Sequence, residues 1–357
     1  MTTAMARAVQ AHYFTRHADV LTALQDDQRI ISRPWQTAMT IFGEQLRQQP
    51  QSAGSGGHQR FARVLRPLWS PKVIAAYEPQ LRAQAARLVA SIARRGECDA
   101  VTAITETHPY RALTTVLGLP PGAACLEAAR NIPNDPEKFI RELLALADHA
   151  ILANGRKNPP GIIFELFDGL EQPGFPLSHA EVLGVLLSIF AAGLDTVAST
   201  IHFGLLRLAQ NPDLHAVLRE RPNEIPKFID EVLRLDCPVA FTPRQPVDDI
   251  TLGGIKLPAG TEFWLGLQAA GHQNGGDQIC RTPDGGVRRQ RHFGLGAGVH
   301  RCLGAALARL ELRLFFEEWL TRIPSFATGE SFVPEIKYGP TLTLQSLPLR
   351  WPTKGTQ

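Results

Sequence analysis

The chain is expected to be mainly α-helical with a small β-rich portion, and three observations carry that expectation. Apolar residues recur at helical spacing over five long stretches. One compact insert, Thr242 to Leu267, instead places turn residues between short alternating segments. The 357 residues contain no long linker, so they form one large core or two closely fused lobes, and 1–357 is taken as a single domain.

In chain order, the helical stretches are Arg63 to Arg94, Pro136 to Asn154, His179 to Gln210, Glu224 to Leu235 and Leu303 to Arg322. Within the insert, Asp248-Asp249, Gly253-Gly254 and Pro258-Ala259-Gly260 separate segments such as Ile250-Thr251-Leu252 and Glu262-Phe263-Trp264-Leu265, which read as hairpin strands. Gln51 to Gly57 is a small flexible Ser/Gly segment, and Asp284-Gly285-Gly286 opens a basic irregular stretch that reaches Arg291.

Charge and cysteine usage narrow the function classes. A net charge of +3 with 20% charged residues implies no polyanion, so nucleic acid is not an expected partner. Cys98, Cys125, Cys237, Cys280 and Cys302 are odd in number and never spaced C-x-x-C, which argues against structural zinc and a disulfide scaffold. The N-terminus is polar, and the longest apolar run, Val182 to Leu194, is too short to span a bilayer. A cytoplasmic protein without a membrane segment is expected.

The run Leu295-Gly296-Ala297-Gly298-Val299-His300-Arg301-Cys302-Leu303-Gly304 delivers a cysteine from a glycine-rich loop onto a helix start. A lone cysteine there reads most simply as a buried, inert thiol. In this setting, however, the helix dipole and unpaired N–H groups favour an anion, and the glycines let the backbone approach a flat ligand. A low-pKa cysteine ready for a metal is expected.

A second segment, Ala192-Gly193-Leu194-Asp195-Thr196, lies inside the long apolar helix from His179. An acid and a hydroxyl there are costly unless they act. Gly193 is expected to leave a groove, and Thr196 to bond back to the carbonyl four residues earlier and loosen the helix. A kink with a solvated aspartate is the plainer alternative. Glu231 and Arg234 share a helix face at i, i+3; alone, such a pair is commonly a surface salt bridge.

Together and in this order, these segments resemble the cytochrome P-450 family, and so imply its fold and a haem b cofactor. The loop matches Phe-Gly-x-Gly-x-His-x-Cys-x-Gly except that Leu295 stands in the phenylalanine place. The resemblance makes Cys302 the metal ligand, with Leu295 and Gly296 against the cofactor. It makes Ala192, Asp195 and Thr196 the oxygen-binding bend, whose acid and alcohol relay protons. Glu231 and Arg234 become the structural pair beneath the haem, with a third member unassigned among Arg288, Arg289 and Arg291. His58, Arg244 and His300 match propionate donors, whereas Ala62 stands where a further arginine belongs, with Arg63 and Arg66 nearby. His292 fits the pattern as a structural residue.

The resemblance covers about 58–324. It implies a haem-thiolate monooxygenase that activates dioxygen to hydroxylate or otherwise oxidise a largely hydrophobic small molecule, as in secondary metabolism, with the substrate free or carried on a protein. Ile189, Ala191, Val239, Ala240, Phe241 and Thr242 are the expected pocket walls. No dinucleotide fingerprint or iron–sulfur cysteine run occurs, so a separate donor such as a ferredoxin and its reductase is implied. Arg60, Arg63, Arg66 and Arg301 are the expected basic docking face. The region Leu117 to His149 is short for the family, and Ala270-Gly271-His272-Gln273-Asn274 departs from its Ala-x-Arg-Asp-Pro. Two alternatives stand beside this: a peroxide-using or rearranging haem-thiolate enzyme, and a degenerate haem- or ligand-binding protein without monooxygenase activity.

Overall fold

The computed structural model describes residues 12–32, 55–105, 107–120, 122–130, 135, 138–146 and 161–353. The principal helices are α1 (His17–Gln25), α2 (Ser55–Leu68), α3 (Glu78–Ala93), α4 (His108–Leu117), α5 (His179–Gly193), α6 (Asp195–Ala209), α7 (Ile225–Leu235) and α8 (Ala305–Arg322). The strands are β1 (His12–Phe14), β2 (Ile30–Ser32), β3 (Glu97–Asp99), β4 (Phe241–Pro246), β5 (Ile250–Leu252), β6 (Ile255–Leu257), β7 (Phe263–Gly266), β8 (Ile336–Lys337), β9 (Thr343–Leu344) and β10 (Pro348–Arg350).

Helix α8 sits between two apolar clusters. Leu307, Leu310 and Leu314 join Phe61, Leu81, Leu113 and Phe190 on one side. Leu312, Phe315, Phe316 and Trp319 join Phe203, Phe228 and Val232 on the other. Each large apolar side chain so buried stabilises the fold by roughly 1.5–3 kcal/mol. Gly204 lets α6 cross α8 closely: a Cβ there would lie 2.4 Å from the Phe316 ring. Arg313 pairs with Glu78 at 2.7 Å and Arg82 with Glu317 at 2.8 Å, which fixes α3 alongside α8.

The long apolar helix expected from His179 begins with a capping box. Ser178 Oγ accepts from the Glu181 N–H and Glu181 Oε2 accepts from the Ser178 N–H. The helix is interrupted only at Leu194 (φ −83°, ψ −67°) before α6 continues it. The 31-residue run His179–Ala209 is therefore long and apolar enough to cross a membrane, with mean hydropathy 1.9 in its most apolar window. This corrects the expectation of too short a run. Its residues from Val197 to Leu206 are buried without a break, the position of a central core helix.

The Arg63 to Arg94 pattern resolves into α2, a short helix Pro71–Ala75 and α3, because Pro67 and the Ser70-Pro71 cap end the first and start the second. Residues 138–146 are helical; the rest of the stretch expected from Pro136 to Asn154 lies outside the described residues. The β-rich insert is present but divided. Strands β5 and β6 form their own hairpin, while β4 and β7 belong to a sheet ordered β1-β7-β4-β2. Its outer strands come from the chain's beginning, with His12 opposite Phe263 in parallel pairing and Ile30 opposite Pro246 in antiparallel pairing. Sequence reading missed both, since three residues are too few for period-two alternation to register.

Candidate active site

The cysteine loop runs from β7 and its following turns into α8. Gly296 (φ +66°) and Gly298 (φ +66°) hold left-handed backbone, which an L side chain resists. At Gly298 a Cβ would lie 2.0 Å from the Leu24 carbonyl oxygen, so α1 presses directly on the loop. The loop closes through Gly296 N–H to Phe293 O at 2.8 Å and Cys302 N–H to Leu295 O at 2.9 Å. The Leu295 side chain packs against the second apolar cluster. Helix α8 then starts at Ala305, with Gly304 as its cap.

Cys302 has exposed surface, yet burial is the first cause acting on its thiol and pushes its pKa up. The two facts agree for a side chain deep in the protein that faces an internal opening. The Gly304 N–H and the charges of Arg301 and Arg309 pull the other way but do not prevail. The expected low-pKa cysteine is thus corrected: desolvation outweighs the helix end and holds the free thiol above the ordinary cysteine value. At Gly304 a Cβ would meet nothing nearer than Cys302 Sγ at 3.9 Å, so open space adjoins the sulfur on the Gly304 side.

Three basic side chains from distant segments converge beside this loop. His58 (α2) and Arg244 (β4) are buried, and the His58 ring meets that of His300 edge to face, with centroids 4.7 Å apart. Burial, then His58 and Arg244, push the His300 pKa down to about 4. Burial, then Arg66, lower that of His58, against a weaker opposing pull from Asp27. Burial lowers Arg244 to about 10. Arg244 Nη1 donates only to Thr242 Oγ1 and Pro243 O, and none of the three makes an ion pair among the described residues. Such a cluster suits a ligand carrying carboxylates.

At the helix interruption, Ala192 and Asp195 are exposed while Val197 to Leu206 are buried. Burial nonetheless raises the Asp195 pKa, so this carboxyl also borders an enclosed space. Thr196 Oγ1 donates to Ala192 O at 2.7 Å, the back-bond expected from the sequence. Rather than opening a groove, Gly193 faces the Leu113 side chain of α4, which a Cβ would meet at an ordinary contact distance of 3.4 Å.

Glu231 and Arg234 are wholly buried and paired at 2.8 Å. Arg234 also donates to Gly276 O and Gln278 O, and Glu231 accepts from the Cys280 and Gln290 N–H groups. Backbone thus fills the third place, and none of Arg288, Arg289 or Arg291 bonds to the pair among the described residues. Arg60 is not a free docking cation: it pairs with Glu181 and donates to Pro176 O. Arg63, Arg66 and Arg301 are exposed. Sequence reading also missed Asp230, a buried acid that binds Arg289 and Arg309.

Residues 126–275 match the cytochrome P450 family model. The chain is 27% identical over 346 residues to the probable cytochrome P450 127A1 of Sinorhizobium fredii, covering 93% of this chain and 83% of that protein. It is also 27% identical to the mycinamicin IV hydroxylase/epoxidase of Micromonospora griseorubida, with 91% and 84% covered. Among solved structures, CYP101J2 aligns with TM-score 0.80 at 24% identity over 96% of this chain and 89% of that one. With the cysteine loop, the helix interruption and the basic cluster in one fold, the chain belongs to the cytochrome P450 family and is a haem-dependent monooxygenase.

Proposed function

We propose that Cys302 would hold the haem iron through its sulfur, that His58, Arg244 and His300 would receive the propionates, and that Leu295 and Gly296 would lie against the cofactor. The carrying observation is the convergence of two buried basic groups, His58 and Arg244, and the half-buried His300, without an ion-pair partner among the described residues, on the loop that bears an accessible cysteine. When bound, the haem supplies dioxygen activation, which thiolate ligation favours by donating electron density. Asp195 and Thr196 hold and move protons at the helix interruption beside Ala192. Asp195 is suited to this because its carboxyl stands at the helix interruption and burial raises it above the ordinary aspartate value. The Thr196 hydroxyl is held by its bond to Ala192 O and keeps acceptor capacity for water.

The substrate in this reading is a largely hydrophobic small organic molecule that is hydroxylated or otherwise oxidised. Ile189, Ala191, Val239 and Phe241 provide partly buried apolar surface for it. Electrons come from a separate donor such as a ferredoxin with its reductase, docking where Arg63, Arg66 and Arg301 are exposed. The test is the optical spectrum of the reduced protein under carbon monoxide, with Cys302→Ala beside it. A strongly red-shifted Soret band that Cys302→Ala abolishes supports the ligand assignment; a histidine-like band in the parent sinks it. Titration with apolar compounds, free and tethered to a carrier protein, then reads the substrate class from displacement of water at the iron. One neighbour of this fold was solved with an acyl carrier protein bearing a fatty acid, which motivates the tethered arm.

A further inference from the structure

Asp230 precedes Glu231 on α7 and is 1% exposed. Its carboxylate collects three basic partners. Oδ1 accepts from Arg309 Nη2 at 2.7 Å and lies 3.5 Å from His292 Nε2, and Oδ2 pairs with Arg289 Nε. Burial pulls its pKa upward, but His292, Arg309 and Arg289 together hold it below the ordinary aspartate value. None of these contacts involves Glu231 or Arg234.

The partners stand at the two ends of the cysteine loop. Arg289 and His292 enter it; Arg309 lies on α8, two turns beyond Cys302. His292 carries the link inward. With its proton on Nε2, facing Asp230, its Nδ1 is free to accept the Gly294 N–H, at 3.1 Å. Gly294 is itself clamped to α7, since a Cβ there would lie 2.5 Å from Leu233 O. Phe293 O then accepts Gly296 N–H and Leu295 O accepts Cys302 N–H. One carboxylate therefore fixes where the loop enters and where it leaves.

We infer that Asp230, acting through His292 and Arg309, is a positioning residue that sets the placement of the Cys302 sulfur. The inference rests on Cys302 being the haem ligand. Stability alone does not require this arrangement, because a buried ion network can be replaced by apolar packing at little cost. Directional bonds to both ends of a loop, in contrast, are what orient a ligand.

The experiment compares the haem-loaded parent with Asp230→Asn, His292→Ala and, as control, Asp236→Asn. Asp236 is a buried partner of Arg207 just beyond the end of the same helix, without a bond to the loop. Three quantities are read: the reduced carbon monoxide spectrum, the haem reduction potential and the rate of haem loss to a scavenging apoglobin. Asp230→Asn and His292→Ala are expected to move part of the Soret intensity to the neutral-thiol position, raise the potential and speed haem loss about tenfold. Asp236→Asn is expected to lower the melting temperature while leaving all three at parent values. Should Asp230→Asn fail to fold, His292→Ala decides, supported by faster iodoacetamide alkylation of Cys302 in its apoprotein. Parent-like spectra and potentials in His292→Ala, or equal shifts in Asp236→Asn, overturn the inference. A parent without the thiolate band instead overturns the ligand assignment beneath it.

Discussion

The imidazoles of His58 and His300 meet edge to face with centroids 4.7 Å apart, although both are bases and each feels a further cation, Arg66 at His58 and Arg244 at His300. They arrive from a helix start, the cysteine loop and a sheet strand. Burial is the first cause of the lowered pKa in each; it favours the neutral imidazoles of His58 and His300, while Arg244, lowered to about 10, keeps its charge without a carboxylate beside it among the described residues. Two carboxylates placed among them would reverse that balance. The cluster is therefore strained toward a partner, and the strain has opposite consequences for the protein with and without one.

Arg244→Leu separates those consequences. Removing a buried guanidinium that, among the described residues, bonds only to Thr242 and Pro243 is expected to stabilise the apoprotein by about 1–2 kcal/mol. If Arg244 receives a haem propionate as proposed, the same change would remove a charge-assisted bond worth roughly 1.5–3 kcal/mol, and haem loss is expected to accelerate about 10- to 100-fold. Apoprotein melting and haem transfer to a scavenger read the two effects independently. A fall in both would mean that Arg244 is merely structural.

Thr196→Ala removes the hydroxyl that bonds to Ala192 O at 2.7 Å. Because a back-bond of this kind contributes little to helix stability, folding and the Soret band are expected to be unchanged. Product formed per reducing equivalent should drop on the order of a hundredfold, with peroxide appearing in its place. Unchanged coupling would remove Thr196 from the proton relay.

The sequence made the chemistry-bearing segments legible because their information is local. The order of residues from Leu295 to Gly304, and the acid and alcohol at Asp195 and Thr196, can be read without knowing what packs on them. The positive φ at Gly296 and Gly298 bears out the expected tight turn. What could not be read depends on distant packing. The pKa of Cys302 is set by desolvation, which no spacing reports. Gly193 faces Leu113, a contact between helices some eighty positions apart. Arg60 looked free until Glu181 met it. Strand β1 is held by β7, about 250 residues later. Asp230 stood beside a recognisable pair and carried no pattern of its own.

His108 is buried against Phe315, with ring centroids 5.4 Å apart, and its Nε2 has no hydrogen-bond partner among the described residues. Burial lowers its pKa to about 4. Below the ordinary value near 6.5 the unfolded chain takes up a proton that the folded ring refuses. Stability from this residue is therefore full above about pH 6.5 and falls as pH drops toward 4, by roughly 3 kcal/mol in all. Urea unfolding of the apoprotein at pH 7 and pH 5 should show His108→Phe losing less stability than the parent across that interval. Parallel losses would mean that the ring is solvated.

Glu311, on α8, produces the opposite slope. Its side chain is buried, Oε2 has no partner among the described residues, and burial raises its pKa well above the ordinary glutamate value. As pH rises past about 4.5 the unfolded chain releases a proton that the folded one keeps, so stability falls with rising pH until the folded carboxyl itself titrates. Glu311→Gln cannot ionise and escapes this loss. Its advantage over the parent is expected to be near zero at pH 4 and to grow by about 1.4 kcal/mol per pH unit through the window. Paired urea titrations of the apoproteins at pH 4, 5, 6 and 7 measure it. A difference that stays constant across the series would place an ionised Glu311 in contact with solvent or a cation, contrary to its burial between the helices.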